Sequence, residues 1–377
     1  MAYSIDTRTL QPGDIFIPVK GERFDGHDFI EEAKRKGAQI LDVELGEFSA
    51  QHRQKYNIPL VAVTGSSGKT TTKDMLAAVL GQKYDLISSA ENQNNEIGVP
   101  LTLLKVNEKT ELAIVEMAMR GIGQIEYLAK IARPTHAIIT NIGWTHIELL
   151  GSQDNIAQAK AEVIRPEMTV FLNEQDDYYE YLCRIAAERH AQAISYRSEK
   201  ILDINQAAVT AAAKHFGLTD AQIAVGLKSY QPSPHRQKIV QAGGITLIDD
   251  TYNANPDAMC FALQVLRETP AVRCVAVLGD MLELGDWAET LHKQINVSGI
   301  DIVYTYGQLA KNIPHQEHFT DKAELIAKLK TTLCTGDVVL FKGSRSMKME
   351  EIMQDISTSL DVRLTHSPSG VEASKQY

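Results

Sequence analysis

The chain has 377 residues, which exceeds the ~250–300 residues at which a single hydrophobic core stops growing, so we expect two or three domains. Hydrophobic residues make up 44% of the chain and charged residues 23%, a composition that excludes a disordered protein. The formal net charge of −10 argues against general binding to nucleic acid or to an anionic membrane.

The expected location follows from what the sequence lacks. No apolar run reaches the ~18 residues of a membrane span, and residues 1–8 do not have the basic and apolar segments of a signal peptide. Four cysteines without paired spacing are typical of buried thiols in a reducing compartment, and they are Cys183, Cys260, Cys274 and Cys334. We therefore expect a cytoplasmic protein without membrane insertion.

Residues 1–57 are expected to form a short opening domain. A turn at 12–14 precedes a predicted strand at Ile15–Val19, and a helix is expected to end near Lys36. Polar residues flank the strand at 6–8 and 21–28. Composition alone leaves open whether these residues bind a ligand or only form solvated turns.

The stretch 61–74, VAVTGSSGKTTTKD, has the pattern of a phosphate-binding loop. An apolar strand leads into glycines 65 and 68, and a helix is expected from Lys69 to Leu80. Glycines let the backbone approach a polyphosphate, the amide groups of the first helical turn point at it, and Lys69 adds a positive charge. Thr70 would bind Mg²⁺ through its hydroxyl. The alternative is a glycine turn that binds nothing.

Residues 58–231 alternate between apolar strands and helices, which predicts a doubly wound parallel sheet that carries this loop. Polar groups at the carboxyl ends of such strands collect at one edge of the sheet. Glu116 and His146 follow two of the strands, and Lys160 lies in a later helix. Each alone is more often a structural or surface residue. Together beside a phosphate loop, they predict a metal and phosphate site.

Prolines within 231–234 predict a linker to a second α/β domain at 232–364, and residues 365–377 have the composition of a polar tail. Polar groups also stand at strand ends of this domain, at 249–256, 279–285 and 342–345. The predicted fold class is therefore α/β, with three domains.

Several long motifs resemble the Mur ligase family, and they lie at 64–74, 94–104, 141–148 and 249–256. Within the family they are most similar to the members that add D-alanyl-D-alanine to a UDP-MurNAc-tripeptide, and the resemblance runs from Asp6 to about Ile356. It implies a central P-loop domain, a Rossmann-like last domain and an ATP-dependent, ADP-forming ligase of peptidoglycan precursor synthesis. Such enzymes join a carboxylate to an amine through an acyl phosphate. We expect a monomer that takes a nucleotide-sugar peptide and an amine or dipeptide and binds no nucleic acid.

The resemblance also implies roles for single residues. Lys69, His146 and Lys160 would be catalytic. Two Mg²⁺ ions are expected: Thr70 and Glu116 would bind one, His146 would help to bind the other, and Lys160 matches the family's carbamoylated lysine. Asn205 would contact the adenine, and the remaining ATP-binding residues would be Gly65, Ser66, Ser67, Gly68, Lys69, Thr70, Thr71, Arg236 and Asp250. The predicted substrate-binding residues are Thr7, Arg8, Asn94, Asn95, Asn253, Asn255, Lys342 and Arg345.

The sequence also departs from the family pattern. The opening domain is short, and the central domain lacks a stretch of strands between Leu172 and Asn205. Pro234, His235 and Arg236 stand where the family usually has Gly-Arg. Two alternatives stay open at this point. The first is a ligase of the same chemistry for a different acid and amine in secondary metabolism or cofactor biosynthesis, and the second is a non-catalytic nucleotide-binding module.

Overall fold

The structure, a computed structural model, describes residues 2–21 and 24–365. It divides into two units between Ser233 and Pro234. Apart from its first residue, the polar tail predicted for 365–377 lies outside the described residues, as do two residues of the opening motif, Glu22 and Arg23.

The first unit opens with a small parallel sheet whose strands are only two residues long. Its strands, in spatial order, are β1 (Tyr3–Ser4), β2 (Ile15–Phe16) and β3 (Gln39–Ile40). Strand β2 is shorter than the predicted Ile15–Val19, since Pro18 has no N–H group to continue a ladder. Helix α1 (Ile30–Arg35) lies between β2 and β3.

Helix α2 (Leu45–Gln54) fastens this opening sheet to the rest of the unit. The buried ring of His52 donates from Nε2 to the carbonyl of Val106, 2.8 Å away. The buried guanidinium of Arg53 donates from Nε to the carbonyl of Ala132, 3.1 Å away. Hydrogen bonds from polar side chains therefore hold this helix in place together with the apolar contacts of Leu45 and Phe48.

The rest of the first unit is built on a six-stranded parallel sheet, which confirms the predicted α/β fold. Its strands are β4 (Leu60–Thr64), β5 (Leu86–Ser88), β6 (Leu112–Glu116), β7 (His136–Ile139), β8 (Thr169–Asn173) and β9 (Gln192–Tyr196). Their spatial order is β5-β6-β4-β7-β8-β9. Every residue of β4 is buried, as its continuous apolar run predicts for a central parallel strand.

Helices cover both faces of this sheet. They are α3 (Lys69–Leu80), α4 (Gly98–Leu103), α5 (Gln124–Ala132), α6 (Ile147–Leu150), α7 (Gln153–Ala161), α8 (Tyr179–Glu188), α9 (Ile204–His215) and α10 (Asp220–Ser229). Helices α3, α9 and α10 share one apolar core with the sheet. The helix that follows the phosphate loop is thus held on both sides by other helices.

The second unit has a mixed six-stranded sheet. Its strands are β10 (Lys238–Ala242), β11 (Ile245–Asp249), β12 (Arg273–Gly279), β13 (Ile302–Tyr306), β14 (Glu317–Phe319) and β15 (Asp337–Lys342), and its helices are α11 (Pro256–Glu268), α12 (Ala288–Lys293), α13 (Lys322–Thr332) and α14 (Met349–Thr365). The spatial order is β10-β11-β15-β12-β13-β14. Among the neighbouring strands of this sheet, only β10 and β11 are antiparallel. A two-residue turn joins them, and Gly243 and Gly244 have the positive φ angles that it requires.

The prediction that all four cysteines are buried thiols was wrong. Cys260 and Cys334 are exposed, while Cys183 and Cys274 are partly exposed, and all four are free thiols. Cys334 lies in the turn between α13 and β15, where its side chain faces the solvent. None of the described helices combines the length and the apolar character that a membrane crossing requires.

His136 at the start of β7 makes the stability of the first unit depend on pH. Burial, with a smaller contribution from the nearby charge of His215, lowers the pKa of His136 from 6.5 to about 4. The unfolded chain therefore binds more protons than the folded one between these pH values. The free energy of unfolding should fall as the pH drops through this range.

Urea unfolding of the wild type and of His136→Gln at about pH 7.5 and about pH 5 measures this effect. We expect the wild type to lose more stability than the variant between the two pH values. An equal loss in both proteins would assign the effect to other groups.

Candidate active site

The phosphate-binding loop lies between β4 and α3. At two of its positions the backbone has a conformation that only glycine adopts easily. Gly65 and Gly68 have φ angles of 143° and 78°. A Cβ atom at Gly65 would overlap the hydroxyl of Thr140, and one at Gly68 would lie 2.7 Å from Oδ1 of Asn205. The loop is therefore a close-fitting cradle. Asn205, predicted to contact adenine, lies directly beside it on α9.

The segment after β7 holds the loop in position. Oδ1 of Asn141 accepts hydrogen bonds from the backbone amides of Ser66 and Ser67, at 3.1 and 2.8 Å. The Ser66 hydroxyl accepts from the amide of Gly143 at 2.8 Å, and the Thr145 hydroxyl donates to the Ser66 carbonyl at 3.2 Å. These bonds bring the segment that ends at residue 146 against the phosphate loop.

The predicted metal ligands Thr70 and Glu116 are in direct contact. The Thr70 hydroxyl donates to Oε2 of Glu116 at 2.8 Å, and the amide nitrogen of Asn94 donates to Oε1 at 2.7 Å. Thr70 and Glu116 are 3% and 1% exposed, so a charged carboxylate is held out of bulk water beside the loop. A buried carboxylate that accepts from two neutral donors suits a hard metal cation.

The donor set at this point fits Mg²⁺. A hydroxyl and a carboxylate are oxygen ligands, and Mg²⁺ is usually bound by one or two such groups with water and phosphate oxygens completing the shell. The described residues contain no group of three or more His, Cys, Asp or Glu side chains that could hold a metal by themselves. Thr70 and Glu116 therefore need phosphate oxygens as further ligands of the metal ion. A nucleotide bound at the neighbouring phosphate loop would supply them.

His146 lies in the segment after β7 and has a φ angle of 59°, a left-handed conformation that non-glycine residues rarely adopt. It precedes α6 (Ile147–Leu150) directly. Residues held in this conformation are often found at functional sites. The structure thus places His146 at the same edge of the sheet as Glu116, as the sequence predicted for strand-end residues.

The two predicted catalytic lysines have different surroundings. Nζ of Lys69 donates to the carbonyls of Gly65 and Ser66, at 2.9 and 3.3 Å, so its charge is held over the loop. Lys160 on α7 is 2% exposed, and its side chain makes no hydrogen bond or ion pair with any residue that the structure describes. Burial and the nearby charge of Lys69 lower the pKa of Lys160 well below its usual value. Both effects favour a neutral amine at this position.

In the first unit, the other predicted site residues have structural contacts. Oδ1 of Asn95 accepts from the amide of Gly98 at 2.9 Å, at the start of α4. Thr7 is buried in the opening part, and the exposed Arg8 pairs with Asp6 at 2.6 Å. A substrate role for these residues remains a prediction.

In the second unit, Lys342 is buried at the end of β15 and donates to Oδ2 of Asp250 at 2.6 Å and to the carbonyl of Asn253 at 2.9 Å. A substrate carboxylate would have to replace one of these acceptors to reach the ammonium. Asn255 accepts from the amide of Ala258 at 2.8 Å and caps α11. The predicted substrate residues here therefore build the strand-end loop.

Two predicted arginines of the second unit remain accessible. The Arg236 guanidinium lies 3.8 Å from the centre of the Tyr252 ring, which is a cation–π contact. This contact uses the face of the guanidinium and leaves the N–H groups at its edge available. The Arg345 side chain is 56% exposed and donates to Oε1 of Glu350 at 2.8 Å. Both can present a charge to an anionic ligand of this unit.

Asn141 is one of the polar residues at strand ends that the sequence indicates, but the sequence prediction gave it no role. It lies two residues after the end of β7 and stands at the start of the 141–148 motif. An asparagine at a strand end can cap backbone amides of an adjacent loop, but only the spatial order of β4 and β7 shows which loop it caps.

Replacing Asn94 tests whether it positions the metal carboxylate. In Asn94→Ala, Glu116 loses its 2.7 Å donor, and we expect the Mg²⁺ concentration for half-maximal activity to rise by roughly 10-fold. Asn92→Ala, at an exposed position two residues away, is the matched control. If Asn94 instead binds substrate, the KM of the acid would rise with the Mg²⁺ dependence unchanged.

Three family models match the chain. They describe the Mur ligase family catalytic domain at residues 2–84, the Mur ligase middle domain at 63–229 and the Mur ligase glutamate ligase domain at 235–345. Between them they extend over both units of the structure.

Curated and solved proteins give the same assignment. A UDP-N-acetylmuramoyl-tripeptide–D-alanyl-D-alanine ligase of Bacillus subtilis is 35% identical, with 94% of this chain and 92% of the relative covered. That alignment spans 422 positions, more than the 377 residues of this chain, so the relative has additional residues inside the matched region. The short opening and central domains remain a prediction.

Two crystal structures are similar over nearly their whole lengths. MurF from Acinetobacter baumannii has a TM-score of 0.86 at 29% identity, with 95% of this chain and 93% of that chain covered. MurF from Thermotoga maritima, solved in complex with ADP, has a TM-score of 0.85 at 27% identity, with 96% and 98% covered. The phosphate loop, the Thr70–Glu116 pair and these similarities lead to one assignment: the chain belongs to the Mur ligase family.

Proposed function

We propose that the protein is an ATP-dependent, ADP-forming ligase that joins D-alanyl-D-alanine to a UDP-N-acetylmuramoyl-tripeptide in peptidoglycan precursor synthesis. The names of the curated relatives support the substrates. The observation that carries the chemistry is the 2.8 Å contact between Thr70 and Glu116 beside the glycine cradle. A module that only bound nucleotide would have no need for a second set of groups such as the buried Lys160 and the partly exposed His146.

The reaction needs two steps with different demands. A carboxylate oxygen of the tripeptide attacks the γ-phosphorus of ATP, which releases ADP and leaves an acyl phosphate. The amine of the dipeptide then attacks the acyl carbon, an amide bond forms, and phosphate leaves with the bonding electron pair while the amine loses a proton. Phosphoryl transfer depends mainly on positioning and charge neutralisation.

The residues of the first unit provide both. Loop amides other than those of Ser66 and Ser67, which donate to Asn141, would orient the phosphates, and Lys69 places a positive charge beside them. Thr70 and Glu116 would hold Mg²⁺, which neutralises phosphate charge when bound. Asn141 keeps the loop amides in a fixed geometry before the nucleotide arrives, so no reorganisation is needed during transfer.

Lys160 is proposed to act as a carbamate. A neutral amine adds CO₂ and loses one proton, which yields an anionic oxygen ligand where a buried cation would repel a metal. The burial of Lys160 and its low pKa support this proposal. His146, at the same edge of the sheet, would share a second Mg²⁺ with it.

Two further parts of the prediction belong to the same proposal. Arg236 and Asp250 are proposed to interact with ATP from the second unit, with Lys342 fixing the carboxylate of Asp250.

A reaction that uses ATP and a nucleotide-linked substrate is expected in the cytoplasm. The monomeric state stays a prediction.

The function is tested by measuring ADP formation with the tripeptide nucleotide and D-alanyl-D-alanine together and with each omitted. We expect ADP only when both are present, and amide product in equal amount. A panel of other acids and amines is the comparison. ADP formation with another pair, and none with this one, would contradict the proposed substrates while leaving the ligase chemistry intact.

A further inference from the structure

A buried lysine on the helix after the phosphate loop has no part in the proposed reaction. Lys73 lies three residues after Thr70 on α3, and its side chain is 1% exposed. A lysine is almost never fully buried unless its charge is paired. Nζ of Lys73 lies 2.7 Å from Oδ1 of Asp74 and donates to the carbonyl of Ser89 at 2.7 Å. The second of these contacts leads toward Glu116.

The carbonyl that Lys73 contacts belongs to the first residue of a loop that lies beside the end of β6. Ser89 follows β5 directly, and its hydroxyl accepts from the amide of Glu116 at 3.2 Å. Asn94, at the other end of this loop, donates from its side chain to Oε1 of Glu116 at 2.7 Å, and its carbonyl accepts from the amide of Ala118 at 2.9 Å. The loop therefore holds the backbone of Glu116 at one end and the carboxylate at the other.

Lys73 and Thr70 lie on the same face of α3, because residues three apart in a helix are neighbours on its surface. Thr70 contacts Glu116 directly, whereas Lys73 is connected to it through Ser89. Lys73, Ser89 and Glu116 are each at most 2% exposed. A hydrogen bond from an ammonium group is stronger than one between neutral groups, and exclusion of water strengthens it further. These contacts fix the position of Glu116 from behind the carboxylate.

We propose that Lys73 is a positioning residue that holds Glu116 in the geometry that Mg²⁺ requires. The inference rests on the proposed function, in which Thr70 and Glu116 bind this ion. Mg²⁺ demands a nearly ideal arrangement of its oxygen ligands, so a small displacement of the carboxylate weakens binding. Residues that orient metal ligands contribute roughly 10–100-fold to metal affinity, although they do not touch the ion.

Lys73→Met tests the proposal through metal binding to the complex of the protein with ADP. Methionine keeps an unbranched apolar side chain and removes the ammonium group. Mn²⁺ is the probe, because it takes the same oxygen ligands as Mg²⁺ and its free form is measured by electron paramagnetic resonance. We expect the affinity for Mn²⁺ to fall by about tenfold, with the affinity for ADP in the absence of metal unchanged. A residue that only stabilised the fold would lower the unfolding temperature and leave the Mn²⁺ affinity unaltered.

Lys83→Met is the matched control, since Lys83 is exposed and donates to the carbonyl of Phe216. It should bind Mn²⁺ as the wild type does. An unchanged Mn²⁺ affinity in Lys73→Met would overturn the proposal, and Glu116→Gln then identifies the cause. Weaker binding in Glu116→Gln would contradict the role of Lys73 alone. Wild-type binding in Glu116→Gln as well would contradict the proposed metal ligands too.

Ser89→Ala is a second variant that removes no buried charge. It takes away the acceptor of the Glu116 amide and keeps the carbonyl that Lys73 contacts. We expect the Mn²⁺ affinity to fall by roughly fivefold, the effect of one hydrogen bond. Ser88→Ala is its control, because the Ser88 hydroxyl makes no hydrogen bond with any residue that the structure describes. Wild-type affinity in Ser89→Ala would overturn the connection from Lys73 to Glu116. These measurements need neither acid nor amine, so they do not depend on the proposed substrates.

Discussion

Lys69→Ala is expected to abolish ligation and leave the fold intact. Lys69 is the first residue of α3, and its ammonium is held over the phosphate loop by the carbonyls of Gly65 and Ser66. Without it, the charge that develops on the transferring phosphoryl group loses a fixed positive partner. By comparison with other charge-stabilising groups, kcat should fall by roughly 10³-fold or more.

The measurement is steady-state ADP formation together with thermal unfolding. Lys83→Ala is the matched control, because Lys83 follows the same helix but donates to the carbonyl of Phe216 on the surface. We expect that control to keep nearly full activity. If Lys69→Ala turned over at the wild-type rate with an unchanged unfolding temperature, the assignment of the phosphate site would be wrong.

The second large effect is expected at Lys160. Replacement by alanine removes the proposed carbamate and should lower kcat by roughly 100-fold or more, since even outer contacts of metal ligands contribute roughly 10–100-fold. A short carboxylic acid such as formate or acetate fits the space of the missing group and supplies a carboxylate. Added formate should therefore restore part of the activity of Lys160→Ala.

Two further observations make this test sharper. Isotopically labelled bicarbonate should give a carbamate signal in the NMR spectrum of the wild type and none in Lys160→Ala. Lys130→Ala, at an exposed position of α5, should neither lose activity nor respond to formate. A fully active Lys160→Ala protein would remove the lysine from the site, and activity loss without rescue or carbamate signal would leave it only a packing role.

The elements that carry the phosphate site could be predicted from the sequence because local pattern and tertiary position agree there. A continuous apolar run that is followed by glycines and a helix indicates a buried strand. This pattern predicts β4, the loop and α3. Glu116 was predicted from the same logic, since it ends a second apolar run. The edge of a parallel sheet then brings such residues together without further information.

Other features depend on contacts that a single sequence does not show. Helix α2 has few apolar positions because the hydrogen bonds of His52 and Arg53 hold it in place, so no apolar periodicity marks it. Strand β10 lies at a sheet edge with exposed residues, so no buried apolar run marks it. The contacts of Asn94 with Glu116 and of Lys342 with Asp250 join residues that are distant in sequence, and a substrate role for Asn94 and Lys342 stays a prediction.

The opening sheet has a consequence for how the protein could be divided or recombined. Strands of two residues give too few hydrogen bonds for independent stability, and the sheet gains its rigidity through α2 and its bonds to Val106 and Ala132. The opening part and the nucleotide-binding part should therefore fold as one cooperative block. Since α2 and the opening strands also share an apolar cluster with residues around α4, exchanging the opening part between related enzymes would require the side chains that pack against it to be exchanged as well.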